Sequence, residues 1–226
     1  MLQSWVRPVE QIVLPALESR IRVLGFTAPS AGAGVSTLAA AAAETLARSG
    51  IKVLLLDLTR PATDDSSPTG WIPGDGGARE LVTRAAAGYD VLTAEPHADS
   101  RFLFNNSMRL RQTLAGDLAS YATIIIDLPP LLATDAHSIN PVAAALLCDS
   151  VMLVCANGRT SRAGVRAAVQ LAKTSGVKLA GTVFNDYGAQ PLAAEIAQSV
   201  QRRLRFAPGL AARLARWAQH STLLRS

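Results

Sequence analysis

Lysine is scarce in this chain: of 22 basic side chains in 226 residues, only Lys52, Lys173 and Lys178 are lysines, and none falls in the glycine-rich turn at 27–37. Any anion held by that turn must therefore be held without a lysine of its own. Aromatic residues make up 5% of the chain, which argues against a single-strand nucleic-acid binder built on rows of stacking rings. Cysteine occurs twice, as Cys148 and Cys155, both in apolar surroundings. That usage reads as small buried hydrophobes of a reducing compartment and excludes a disulfide framework or a cysteine-based zinc site. No segment reaches about 18 consecutive apolar residues, so no transmembrane helix is expected. Arg7, Pro8, Glu10 and Glu18 interrupt the N-terminal segment, so no signal peptide is expected either, and a soluble, cytoplasmic protein is the reading.

What is present suffices for a sizeable core. The chain is 49% hydrophobic and 17% charged, which excludes wholesale disorder, and its length suits one domain. A stretch from Val9 to Arg20 has the pattern of an amphipathic helix. Strand-like runs then follow at Arg22–Thr27, Lys52–Asp57, Asp90–Thr93, Ala122–Asp127, Ser150–Cys155 and Lys178–Phe184. Helical patterns lie between and after them at Thr37–Ser49, Arg101–Ser120, Pro141–Leu147, Arg162–Ser175 and Pro191–Leu204. Val53–Leu56 and Ile124–Ile126 are apolar without alternation, as strands covered on both faces are. The expected fold class is α/β, a mostly parallel sheet flanked by helices on both faces. Residues 62–77, rich in Asp, Ser, Pro, Thr and Gly, are expected to form a long exposed loop.

The residues after the first strand are Thr27-Ala28-Pro29-Ser30-Ala31-Gly32-Ala33-Gly34-Val35-Ser36-Thr37. A strand, a glycine-rich turn and a helix together wrap backbone N–H groups around a phosphate. Ser30, Ala31, Gly32, Ala33, Gly34, Val35, Ser36 and Thr37 are thus the candidate phosphate-binding residues. Ser36 stands where a P-loop places its Mg²⁺-binding hydroxyl. Pro29 stands at the first glycine of that pattern, and Val35 at its lysine. Two apolar strands end in Asp57 and Asp127, delivering carboxylates to the sheet edge where ligands of such folds bind. With Ser36 they are the candidate Mg²⁺ residues, and the two aspartates are the candidate catalytic pair.

These motifs resemble the bacterial tyrosine kinases (BY-kinases of the cytosolic CpsD/CapB type), within the MinD/ParA-like P-loop ATPases. The resemblance runs from about Arg22 to Tyr187 and rests on the glycine-rich loop, Leu-Leu-Leu-Asp57 and Ile-Ile-Ile-Asp127-Leu-Pro-Pro. Thr134-Asp135-Ala136, Cys148-Asp149-Ser150, Asn157-Gly158-Arg159-Thr160 and Gly181-Thr182-Val183-Phe184-Asn185 follow in order. It implies a P-loop NTPase fold, ATP or ADP with Mg²⁺ as cofactors, Asp57 as Walker A′ carboxylate, Asp127 as Walker B carboxylate and Asn185 at the adenine edge. The departures are as specific. Ser30 replaces the signature lysine of MinD-type loops, Thr59 replaces a second Walker A′ aspartate, and Tyr89, Tyr121 and Tyr187 are the only tyrosines, none in the terminal segment that carries the autophosphorylation cluster. Phosphoryl transfer depends on positive charge around the phosphates, so a weak or absent kinase activity is expected. Arg60, Arg159 or an arginine of a second copy are the candidates for restoring that charge.

The formal charge of +5 lies entirely in residues 191–226, which carry six arginines and one acid, Glu195. Leu210, Leu214 and Trp217 form a stripe at i, i+4, i+7 beside Arg213 and Arg216. The expected organisation is an NTPase-like domain over 1–206 and a basic amphipathic segment over 207–226, a candidate for an anionic membrane surface or a partner. Nothing in it reads bases, so nucleic acid is set aside. The resemblance implies an ATP-binding regulator, or pseudo-kinase, of exopolysaccharide or capsule synthesis and export. Its partner would be a membrane-spanning polysaccharide co-polymerase or another envelope-complex protein, with homo-oligomers and peripheral location at the inner membrane face as companions. The alternatives are an active tyrosine kinase and a MinD/TadZ-type localisation ATPase.

Overall fold

Successive side chains of a strand point to opposite faces of the sheet, so a strand that is apolar at every position must be covered on both. The computed structural model of the chain describes residues 9–13, 21–60, 70–95, 101–134 and 139–186. Among these residues the strands are β1 (Val23–Thr27), β2 (Val53–Asp57), β3 (Thr83–Arg84), β4 (Asp90–Thr93), β5 (Thr123–Asp127), β6 (Ser150–Ala156) and β7 (Leu179–Asn185). They form one sheet in the order β3-β4-β2-β5-β1-β6-β7. Every pairing is parallel except the short antiparallel one between β3 and β4. The helices are α1 (Val35–Arg48), α2 (Arg101–Phe104), α3 (Ser107–Ala115), α4 (Pro141–Ala145) and α5 (Arg162–Ser175). This is the expected α/β fold with a mostly parallel sheet. Apart from Asp186, the described residues belong to one unit, Met1–Asn185.

Each face of the sheet has its own core. Val53 and Leu55 of β2 and Ile125 of β5 pack with Leu38, Ala39, Ala42, Ala43 and Leu46 of α1, joined by Val9 and Val13. Leu54 and Leu56, Ile124 and Ile126 face the other way, against Leu110 and Leu114 of α3, Ala144 and Ala145 of α4, and Ala168 and Ala172 of α5. Ala39, Ala42 and Ala43 of α1 are fully buried; their small side chains let the helix backbone approach the strands closely. Cys148 and Cys155 are buried and free, as their surroundings suggested, and burial pushes the Cys148 thiol well above its ordinary pKa.

Two expectations need correction, and one strand went unforeseen. The helix expected over Arg101–Ser120 is two helices, because Asn106 takes an extended backbone and its side chain accepts the N–H groups of Met108 and Arg109, starting α3 afresh. The exposed loop expected over 62–77 contains a buried residue: Trp71 packs edge-on to Phe104, with ring centroids 5.0 Å apart. The Trp71 indole N–H donates to the Thr93 carbonyl. The edge strand β3 is two residues long and carried no periodic signal. The remainder of the helix expected over Val9–Arg20, the helix expected over Pro191–Leu204, the boundary at 206 and the basic segment 207–226 lie outside the described residues, as do Asp135, Ala136 and Tyr187.

β1 is anchored at its start. The Asp149 carboxylate accepts the backbone N–H groups of Arg22 and Val23 at 3.0 and 2.8 Å. The Arg22 guanidinium donates to the carbonyls of Leu114, Leu118 and Tyr121, which close the end of α3 and the entry to β5. One side chain therefore bonds three carbonyls at and beyond the end of α3. Replacing Arg22 with Ala should lower unfolding stability by about 1–3 kcal/mol, read by urea denaturation of the two proteins side by side.

Candidate functional site

The strand order turns about β1. From β1 the chain runs through α1 to β2, on the β5 side, whereas β5 leads through α4 to β6 on the opposite side of β1. At such a reversal the connections diverge and leave a crevice at the carboxyl ends of the strands. The candidate residues gather there.

Thr27 ends β1 fully buried, its hydroxyl donating to the Pro129 carbonyl at 2.8 Å, and Leu131 donates its N–H to Ala28 at 2.7 Å. The segment after β1 is thus tied to the Leu-Pro-Pro segment after β5. Gly32 and Gly34 have φ of 82° and 85°, the left-handed region that disfavours other residues. At Gly34 space adds a second constraint, since a Cβ would sit 2.3 Å from the Asn185 amide nitrogen. Gly34 is the N-cap of α1 and provides no side-chain cap, and the first turn holds no acidic residue. Ser30, Ala31, Gly32, Ser36 and Thr37 are exposed, Ala33 is buried, and Gly34 and Val35 are half-buried. A 14-residue helix so started presents uncapped N–H groups and the positive end of its dipole to solvent. Val35, at the lysine position, packs against the core beneath α1 and delivers no charge to the turn.

Asp57 and Asp127 are paired neighbours at the ends of β2 and β5. Asp127 is 4% exposed, and its Oδ1 has no hydrogen-bond partner. Burial, opposed by the Ser36 hydroxyl and reinforced by the nearby Asp57 charge, lifts its pKa from 3.8 to about 6. Asp57 is better supported: its Oδ1 accepts the Thr59 backbone N–H at 2.9 Å and the Thr59 hydroxyl at 2.7 Å. Thr59, standing where a second aspartate was expected, thus orients the first. The Arg60 guanidinium lies 4.0 Å from both Asp57 and Glu95, so its charge is shared between two carboxylates.

Asn185 ends β7 and is buried, and its Nδ2 donates to the Ala33 carbonyl at 2.8 Å. It braces the turn, a role the motif did not announce; the tight fit at Gly34 was the only hint available, and it needs coordinates to be seen.

The donor set suits a hydrated Mg²⁺. The Ser36 hydroxyl, the unpartnered Asp127 oxygen and the Asp57 carboxylate converge, and small hard cations prefer such oxygen ligands while keeping several waters. Among the described residues no group of three His, Cys, Asp or Glu could hold a metal by itself. An ion here would need phosphate oxygens and water to complete its shell.

The same fold occurs in bacterial tyrosine kinase domains. That of ETK from Escherichia coli superposes with a TM-score of 0.67 and 20% identity over 80% of this chain and 74% of its own. The BceF tyrosine kinase domain matches at 0.60 and 26% identity, over 81% and 75%. The chain has the bacterial tyrosine kinase fold. The septum site-determining protein MinD of Pyrococcus horikoshii OT3, solved with Mg-ADP, shares the fold at 0.58 and 19% identity over 75% and 72%. No family model and no curated protein matches the chain. Among the described residues no helix is long and apolar enough to cross a membrane.

A buried carboxylate with a raised pKa binds its proton more tightly in the folded than in the unfolded state. Between pH 3.8 and about 6 the folded protein holds the extra proton, so the Asp127 contribution weakens the ligand-free fold as pH rises through that window and stays unfavourable above it. Asp127→Asn should match the parent in stability near pH 3.5. It should exceed the parent on the order of 2 kcal/mol at pH 7.5 without Mg²⁺, as read by denaturant midpoints across pH.

Proposed function

We propose that this protein is a BY-kinase-like ATP-binding regulator of exopolysaccharide or capsule synthesis and export, with little or no phosphoryl transfer. One observation carries the nucleotide half of this reading: the buried, unpartnered Asp127 oxygen beside Ser36, at the foot of an uncapped glycine turn. A carboxylate left in that state is costly for the folded chain, and Mg·ATP or Mg·ADP would relieve the cost by supplying a cation to Asp127 and an anion to the turn.

The weak-transfer half is supported by what the site lacks and by what its tyrosines do. Val35 packs into the core where a P-loop lysine would reach the β/γ-phosphates. Tyr121 is 6% exposed and donates its hydroxyl proton to Asp90, and Tyr89 packs against the α1 core. Neither is presented as a phosphate acceptor. Nucleotide occupancy would then act as a signal, read by a membrane-spanning co-polymerase or a similar envelope partner. The basic segment 207–226 would supply contact with an anionic membrane surface or that partner. The envelope assignment rests on the resemblance to bacterial tyrosine kinases, and a homo-oligomer is compatible with it.

Calorimetric titration of the full chain with ATP and Mg²⁺ should give a dissociation constant below about 1 mM, weakened at least about tenfold when Mg²⁺ is withheld. Incubation of the same protein with Mg·ATP should leave no phosphotyrosine on an immunoblot. Strong phosphotyrosine would overturn the regulator reading in favour of an active kinase, and no binding at millimolar nucleotide would leave a scaffold without a nucleotide.

A further inference from the structure

The segment between β6 and α5 is a short, tightly held turn. Arg159 and Thr160 donate their N–H groups to the Ala156 carbonyl at 3.2 and 2.9 Å, and the Thr160 hydroxyl accepts the Ala156 N–H at 2.9 Å. Gly158 takes a φ of 72°, and Ser161 caps α5 by accepting the Gly164 N–H at 3.0 Å. Because β6 lies directly beside β1, this turn stands next to the glycine-rich one. It carries an arginine to it: a Cβ placed on Gly32 would be 3.7 Å from Nη1 of Arg159. Arg159 is exposed and has no ion pair among the described residues.

That position is electrostatically odd in the ligand-free protein. The uncapped start of α1 bears partial positive charge, and a cation beside a helix N-terminus is in the unfavourable place. Among the described residues no carboxylate pairs with it there. An anion seated between the guanidinium and the turn reverses the sign of both interactions, and a planar guanidinium pairs with phosphate oxygens through two parallel hydrogen bonds. Arg60, the other candidate for this role, is already divided between Asp57 and Glu95. We propose that Arg159 is the phosphate-binding cation of this site, reaching the β-phosphate region of the nucleotide from the β6–α5 turn and replacing the lysine that Val35 does not provide. The proposal rests on the reading of the site as a nucleotide site. It moves the essential positive charge from the helix that holds the phosphates to a neighbouring turn, and so makes Gly32 a position where a side chain would stand between the charge and its ligand.

The test compares the parent with Arg159→Ala and Arg159→Lys, titrated calorimetrically with Mg·ATP, Mg·ADP and AMP at low and high salt, alongside thermal unfolding without ligand. Loss of a charge-assisted contact should weaken ADP and ATP binding by Arg159→Ala at least about tenfold. AMP binding should change less than about twofold, since AMP has no β-phosphate, and Arg159→Lys should recover part of the loss. The ligand-free unfolding midpoint should not fall in either variant, because the guanidinium makes no hydrogen bond within the described residues and its charge is unfavourably placed beside the start of α1. A parent that binds ADP and an Arg159→Ala variant that binds it equally well would overturn the role of Arg159 and leave the site standing. A parent that binds neither ADP nor ATP would overturn both.

Discussion

A carboxylate oxygen buried at the end of a central strand, with nothing to bond to, constrains everything around it. Asp127 is held there by the ladder: β5 lies between β1 and β2, and its last residue is flanked by Asp57 on one side and by the exit of β1 on the other. Leaving a polar atom without a partner in the interior costs about 1–3 kcal/mol, and more when it is charged. The chain keeps this feature while satisfying its neighbours with care. Thr27 is bonded to Pro129, Asp57 to Thr59, and Asn185 to Ala33. An arrangement in which Thr27, Asp57 and Asn185 are paired and one Asp127 oxygen is not supports the proposed cation site.

The geometry also explains how a glycine-rich turn can lose its lysine and keep its shape. What fixes the turn is backbone conformation at Gly32 and Gly34, the tie from Leu131 to Ala28, and the Asn185 brace. None of these involves position 35. Val35 can therefore join the core under α1 without disturbing the phosphate cradle. The electrostatic consequence is larger than the structural one: the turn keeps its N–H groups and helix dipole, which suit an anion, and lacks the mobile charge that would follow a phosphoryl group through transfer. On the proposed reading, binding and catalysis would be separable, because they would draw on different parts of the same turn.

Much of this was legible in the residues. The apolar strands ending in Asp57 and Asp127 and the alternation of strands and helices correctly place the sheet, because apolar runs without alternation, such as Val53–Leu56 and Ile124–Ile126, admit few alternatives to covered parallel strands. What escaped was set by side chains acting on distant backbone. Asn106 restarting a helix competes locally with a strong helical pattern, and Trp71 is buried by a partner, Phe104, some thirty residues on, which composition cannot show. Asn185 bracing Ala33 joins residues 152 positions apart. The same holds for Arg159: its number in the chain says nothing of Gly32 until β6 is placed beside β1.

The proposed nucleotide site and residues 191–226 differ in charge, since residues 1–190 carry equal numbers of acidic and basic side chains and the excess lies beyond them. The most direct measurement is a crystal structure of the full chain grown with Mg²⁺ and ADP. The expected result is the β-phosphate seated on the N–H groups of Gly32–Thr37, with Mg²⁺ on Ser36 and within one water of Asp127. Clear density for ADP elsewhere, or a glycine turn left empty at saturating nucleotide, would contradict it.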